Sequence, residues 1–77
     1  MKYKTAQAWK EAAMQRSQSI GDAEVSRREQ QARKHVLQEG KSLHGEVWED
    51  YMLYIMGKMD IKEYQAYLLF KHSRGGE

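Results

Sequence analysis

The chain contains no cysteine and no proline among its 77 residues. Without cysteine there can be no disulfide and no thiolate metal site, and the composition suits a reducing compartment, so the protein is expected in the cytoplasm. Without proline, glycine is left as the strongest punctuation of the backbone. No apolar run approaches the roughly 20 residues that a membrane span requires, so no membrane role is expected. Met1-Lys2-Tyr3-Lys4 is basic, but the Thr5-Ala6-Gln7-Ala8-Trp9-Lys10-Glu11 that follows is too polar for a signal-peptide core. Strand signals, alternating β-branched runs bounded by turn residues, are nearly absent. What remains is an all-α expectation: one small domain over residues 1–77, made of three or four helices. At this length only about 60–65% of the unfolded surface can be buried, so the core is marginal.

The glycines and caps divide the chain. Thr5 caps a first helix of about residues 6–18, with Ala6, Trp9, Ala13 and Ile20 on one stripe. Ser19-Ile20-Gly21-Asp22 breaks it, and Asp22 offers the cap of a second helix that reaches Gln38 or Glu39. After the Lys41–Gly45 connection, a third helix runs from about Glu46 to Met56 and stops at Gly57. Asp60, with Glu63 three residues on, is close to a capping box and opens a fourth helix to about His72. Residues 73–77 read as frayed. Polar N-terminal helices (about 5–39) therefore precede an apolar helical hairpin (about 46–72).

The apolar residues are shared unequally. The second helix offers only Val25, Ala32, Val36 and Leu37, so it depends on tertiary or partner contacts for stability. The third and fourth helices are apolar around most of their circumference, and two antiparallel faces cannot hide all of it. The excess points to an interaction module. The aromatic set Trp48, Tyr51, Tyr54, Tyr64, Tyr67 and Phe70 reads as core or interface, since a tyrosine ring can be buried while its hydroxyl finds a partner.

Other function classes find less support. His35 and Glu39 share a helix face, but a metal site needs three or four convergent ligands, and the remaining donors are scattered. No nucleophile elbow, phosphate loop or paired-acid motif is present, so neither an enzyme nor a cofactor is expected. The net charge of +2 is too small to argue for nucleic acid by itself. It is uneven, however: residues 1–40 hold eight Lys/Arg against five Asp/Glu, and residues 41–77 hold five against six. Arg27, Arg28, Arg33 and Lys34 keep a helical DNA- or RNA-binding regulator as an alternative, although Glu24 and Glu29 interrupt the run.

Glu39-Gly40 ends the arginine-rich stretch. Gly40 fits the position after a helix, which puts the Glu39 carboxylate in the last turn, where the helix dipole disfavours an acid. Beyond it come Val47, Trp48, Tyr51, Tyr54 and Ile55, then Gly57, then Asp60-Ile61-Lys62-Glu63. This order resembles the small antitoxins of the VbhA type, which inhibit Fic-domain AMP-transferase toxins. Members carry Ser/Thr-x-x-x-Glu-Gly on an inhibitory helix; here Glu39-Gly40 is the Glu-Gly pair, and His35 stands at the hydroxyl position. The likeness covers roughly residues 32–70. It implies that Glu39 pairs with the toxin arginine that otherwise holds the ATP γ-phosphate, while Gly40 lets the backbone turn away. It also implies that the last two helices clamp the toxin, through Val47, Trp48, Tyr51, Tyr54, Ile55, Tyr64 and Leu68. An inhibitor of an unrelated protein target is a further reading of the same module.

Overall fold

The computed structural model describes residues 3–75 and is all-helical across them. Its helices are α1 (Ala6–Met14), α2 (Asp22–Gln38), α3 (Glu46–Ile55) and α4 (Ile61–Phe70), and a π-helical turn (Lys71–Gly75) extends α4. Caps account for most of the boundaries. The Thr5 hydroxyl accepts from the Ala8 amide at 3.0 Å, and the Asp60 carboxylate accepts from the Glu63 amide at 2.7 Å. The Glu63 side chain reaches across to α1 and the segment after it, accepting from Trp9 Nε1 at 2.9 Å and from Arg16 at 2.7 Å. At the start of α2 the cap is Gly21 rather than Asp22, which becomes the first helical residue. Asp22 and Glu24 then lie in the first turn, where the dipole favours negative charge.

Both α2 and α3 end in a Schellman motif. Gly40 has φ +73°; its amide donates to Leu37 O (3.1 Å), and Lys41 N donates to Val36 O (3.0 Å). Gly57 also has φ +73°; its amide donates to Tyr54 O (3.0 Å), and Lys58 N donates to Leu53 O (2.8 Å). The first helix is shorter than its pattern implies, stopping at Met14 instead of running to residue 18. Ala6, Trp9 and Ala13 are buried as that stripe requires, but Ile20 lies beyond the helix end. Of residues 73–77, those up to Gly75 continue the π turn, and Gly76 and Glu77 fall outside the described residues.

The hub of the fold is α3, which packs against α1, α2 and α4. Pairings along the helices fix their directions. Lys10 meets Glu49 and Arg16 meets Lys58, so α1 runs parallel to α3. Arg28 meets Tyr54 while His35 meets Tyr51, so α2 runs antiparallel. Tyr67 meets Asp50 while Lys71 meets Glu46, so α4 runs antiparallel as well. The core between α1, α3 and α4 holds Ala6, Trp9, Ala13, Leu53, Met59 and Tyr67, with Tyr3, Tyr64, Leu68 and Phe70 packed on it. Trp9 is its centre: it stacks on Tyr3 and meets Tyr67 edge-on, with ring centroids 5.5 and 5.6 Å away. In α2 only Ala32 and Val36 are buried, and the helix packs mainly on α3.

Candidate protein-binding site

Glu39 is the C-cap residue of α2. Met56 holds the same place before Gly57 in α3, so this cap makes no demand for a carboxylate. The Glu39 side chain is half exposed, and its contacts come from its own segment: His35 Nε2 at 3.2 Å and Lys41 Nζ at 3.7 Å. Both partners are themselves exposed, so the carboxylate is held loosely and stays open to an outside cation. His35, at the hydroxyl position of the motif, thus touches the glutamate from one turn back.

Beside Glu39 lies an open cleft of about 320 Å³ between the end of α2, the start of α3 and the end of α4. Val36, Val47, Tyr51, Tyr64 and Leu68 make its apolar lining, and Glu39, Lys41, Glu46 and Lys71 lie around it. The tyrosines form a row: Tyr64 stacks on Tyr51 at 5.7 Å and on Tyr54 at 5.8 Å, and Trp48 leans on Tyr51 at 6.2 Å. Burial is the main cause pushing the Tyr51 and Tyr64 hydroxyls above the ordinary tyrosine value, so both remain neutral donors at physiological pH.

The structure sorts the expected contact residues. Val47 is half exposed, and Trp48, Tyr51, Tyr54, Tyr64 and Leu68 are partly buried, so each keeps part of its surface open. Ile55 is completely buried and is a core residue, not a contact. On α3 it stands one turn from Tyr51, but its side chain faces inward, and the sequence pattern alone does not separate the two.

The basic stretch of α2 is largely occupied. Glu24 pairs with Arg27 at 2.6 Å and with Arg28 at 2.8 Å. Arg28 also donates to Tyr54 O at 2.8 Å and lies 4.3 Å from the Tyr54 ring centre, so it fastens α2 to α3. Arg33 faces Glu29 at 3.5 Å. Among the described residues, no group of three or more His, Asp or Glu side chains could hold a metal.

Sequence reasoning missed a buried ionic network in the first turns of α3, bordering the same cleft. Asp50 is only 3% exposed. It accepts from the Tyr67 hydroxyl at 2.7 Å and from Lys71, and Lys10 Nζ lies 3.7 Å away. Lys10 also bonds Glu49 at 2.9 Å, and Lys71 bonds Glu46 at 2.6 Å. Burial opposes the Lys71 charge, but the carboxylates of Asp50 and Glu46 outweigh it and hold its pKa above the usual lysine value. The available signal was Asp50 itself, an acid three residues before the core residue Leu53 and so on the same helical face.

No protein-family model matches this sequence, and comparison with curated proteins and with solved structures finds no match. No helix among the described residues is long and apolar enough to cross a membrane.

Proposed function

We propose that this protein is an antitoxin-type inhibitor that binds a Fic-domain AMP-transferase toxin and blocks productive ATP binding through Glu39. The observation that carries the reading is the state of Glu39: a carboxylate at a helix end that its cap does not require, held only by exposed neighbours, beside an apolar cleft. Such a group can exchange its weak intrachain contacts for a shielded arginine pair, which is stronger and directional. The Fic identity of the partner comes from the Glu39-Gly40 motif and the helix order that follows it. A protein partner is favoured over nucleic acid because Arg27 and Arg28 share Glu24, and Arg28 is also spent on Tyr54.

The test is to co-express the chain with a Fic-domain toxin encoded beside it and to follow AMP transfer from labelled ATP. Glu39→Gly should leave the complex assembled and release the activity, because the contact area comes mainly from α3 and α4. An intact complex that stays fully inhibited excludes Glu39 as the inhibitory residue. Failure of the wild-type chain to bind any such toxin rejects the Fic reading and leaves the helical regulator to be tested by oligonucleotide binding at two salt concentrations.

A further inference from the structure

Two parallel helices side by side make two grooves, and here they have different fates. One groove between α1 and α3 is filled by α4, which runs antiparallel to both and packs on both. The other is open. In an up-down-up-down bundle the second helix would lie between the first and third. In this fold α2 sits elsewhere, on the Tyr51 and Tyr54 side of α3.

The open groove holds about 320 Å³ and is lined by Lys10 and Met14 of α1, by Trp48, Met52 and Leu53 of α3, and by Met56 at the α3 cap. Met14 is 55% exposed, although methionine is a residue that a marginal core would ordinarily use. The α3 side runs from Trp48 to Met56, about 12 Å at the helical rise, which matches an i, i+3/4, i+7 stripe of a docked helix.

Its ends carry opposite charge. Glu49 lines the groove at the start of α3, with its side chain 64% exposed and one oxygen on Lys10. Lys58 lines it at the far end, where it donates to the Arg16 carbonyl while the Arg16 guanidinium returns a bond to Lys58 O. A helix lying antiparallel to α1 and α3 would bring its first turn to Lys58 and its last turn to Glu49. Acid-first, base-last order is also the order that a helix's own dipole prefers.

We propose that this methionine-lined groove is a docking site, sharing only Trp48 with the Glu39 face, for an amphipathic helix of a partner protein. The occupant runs antiparallel to α3, with an acidic residue in its first turn, an apolar stripe, and a basic residue in its last turn. It takes the seat in the bundle that α2 leaves empty. Methionine suits this use because its unbranched, polarisable side chain adapts to different apolar knobs.

The probes are two synthetic helical peptides of one composition and one leucine stripe, the first acid-first and base-last, the second reversed. Each is titrated into the full chain carrying 13C-methyl methionine, and the methyl resonances are followed by NMR. The acid-first peptide is expected to bind at least about tenfold more tightly and to shift Met14, Met52 and Met56 more than the buried Met59. Lys58→Glu should reduce or invert the preference, and Met52→Glu should abolish binding while the circular dichroism spectrum is unchanged. Equal affinity for both peptides, no binding of either, or shifts confined to the Leu68–Leu69 face would overturn the proposal. Self-association of the chain that Met52→Glu removes would assign the groove to a second copy and overturn it too.

Discussion

Gly40 and Gly57 occupy the same motif with the same φ of +73°, but their surroundings differ, and alanine at each isolates what the surroundings contribute. A Cβ on Gly40 meets nothing within 4 Å. A Cβ on Gly57 would lie 2.7 Å from Ser19 Oγ, 2.9 Å from Ile20 Cγ1 and 3.2 Å from Ser19 N. Both alanines incur the left-handed penalty of about 1–2 kcal/mol, offset by about 0.4–1 kcal/mol from a stiffer unfolded chain. At Gly40 that is nearly all, so Gly40→Ala should cost about 1 kcal/mol. At Gly57 the overlap adds about 1–3 kcal/mol. The hydrogen bond from the Ser19 hydroxyl to Gly57 O is displaced as well, for a further ~0.5–1.5 kcal/mol. Gly57→Ala should therefore lose about 3–5 kcal/mol. A chain of this size has about 4–12 kcal/mol in total, so the loss leaves little folded margin. Urea titration followed at 222 nm measures both variants against the parent. Equal losses at the two glycines would refute the reasoning, because they would show that Ser19 and Ile20 do not press on the α3 cap.

Asp50→Ala should cost about 3 kcal/mol in the same titration, because it leaves the buried Tyr67 hydroxyl without its acceptor and leaves Lys10 and Lys71 only the exposed carboxylates of Glu49 and Glu46. Asp50→Asn, which can still accept from Tyr67, should lose less. Glu24 gives a pH signature: hydrogen bonds first from Arg27 and then from Arg28 pull its pKa from 4.5 to about 2. A depressed carboxylate stabilises fully above its unfolded value and loses that effect as pH falls through its folded one. The melting-temperature advantage of the parent over Glu24→Gln should therefore be constant above about pH 5 and shrink between pH 4.5 and 2. Amide hydrogen exchange should be fastest in the outer turns of α2, which buries only Ala32 and Val36, and slowest in the middle of α3. Uniform protection across the four helices would contradict that ranking.

What the sequence made legible was local. Thr5, Asp60, Gly40 and Gly57 act within a few residues of themselves, and each stands where its chemistry placed it. The end of α1 was misjudged because its cause is remote. Past Met14 the chain is drawn toward the α3 cap by Arg16 on Lys58 O and by the Ser19 hydroxyl on Gly57 O, contacts 42 and 38 residues apart. Asp22 resembles a cap by type, but Gly21 takes that place and leaves Asp22 inside the first turn. The division between Tyr51 at the surface and Ile55 in the core was hidden too. In α3 the apolar run wraps most of the helix, and three neighbouring helices decide which side is covered.

The same distinction bears on the acids. Asp50 and Glu63 have partners outside their own helices: Asp50 holds α4 and α1 to the hub, and Glu63 joins α4 to α1. Glu39 differs from both. Its contacts are His35, one turn back, and Lys41, two residues on, so removing its charge detaches no helix. An acid used by the fold cannot be offered to a partner without weakening the fold. An acid held only by exposed neighbours can be given up at a cost of about 0–1 kcal/mol, the ordinary worth of a surface pair. That asymmetry is why Glu39→Gly can separate the proposed inhibition from folding, whereas the same experiment on Asp50 or Glu63 would confound them.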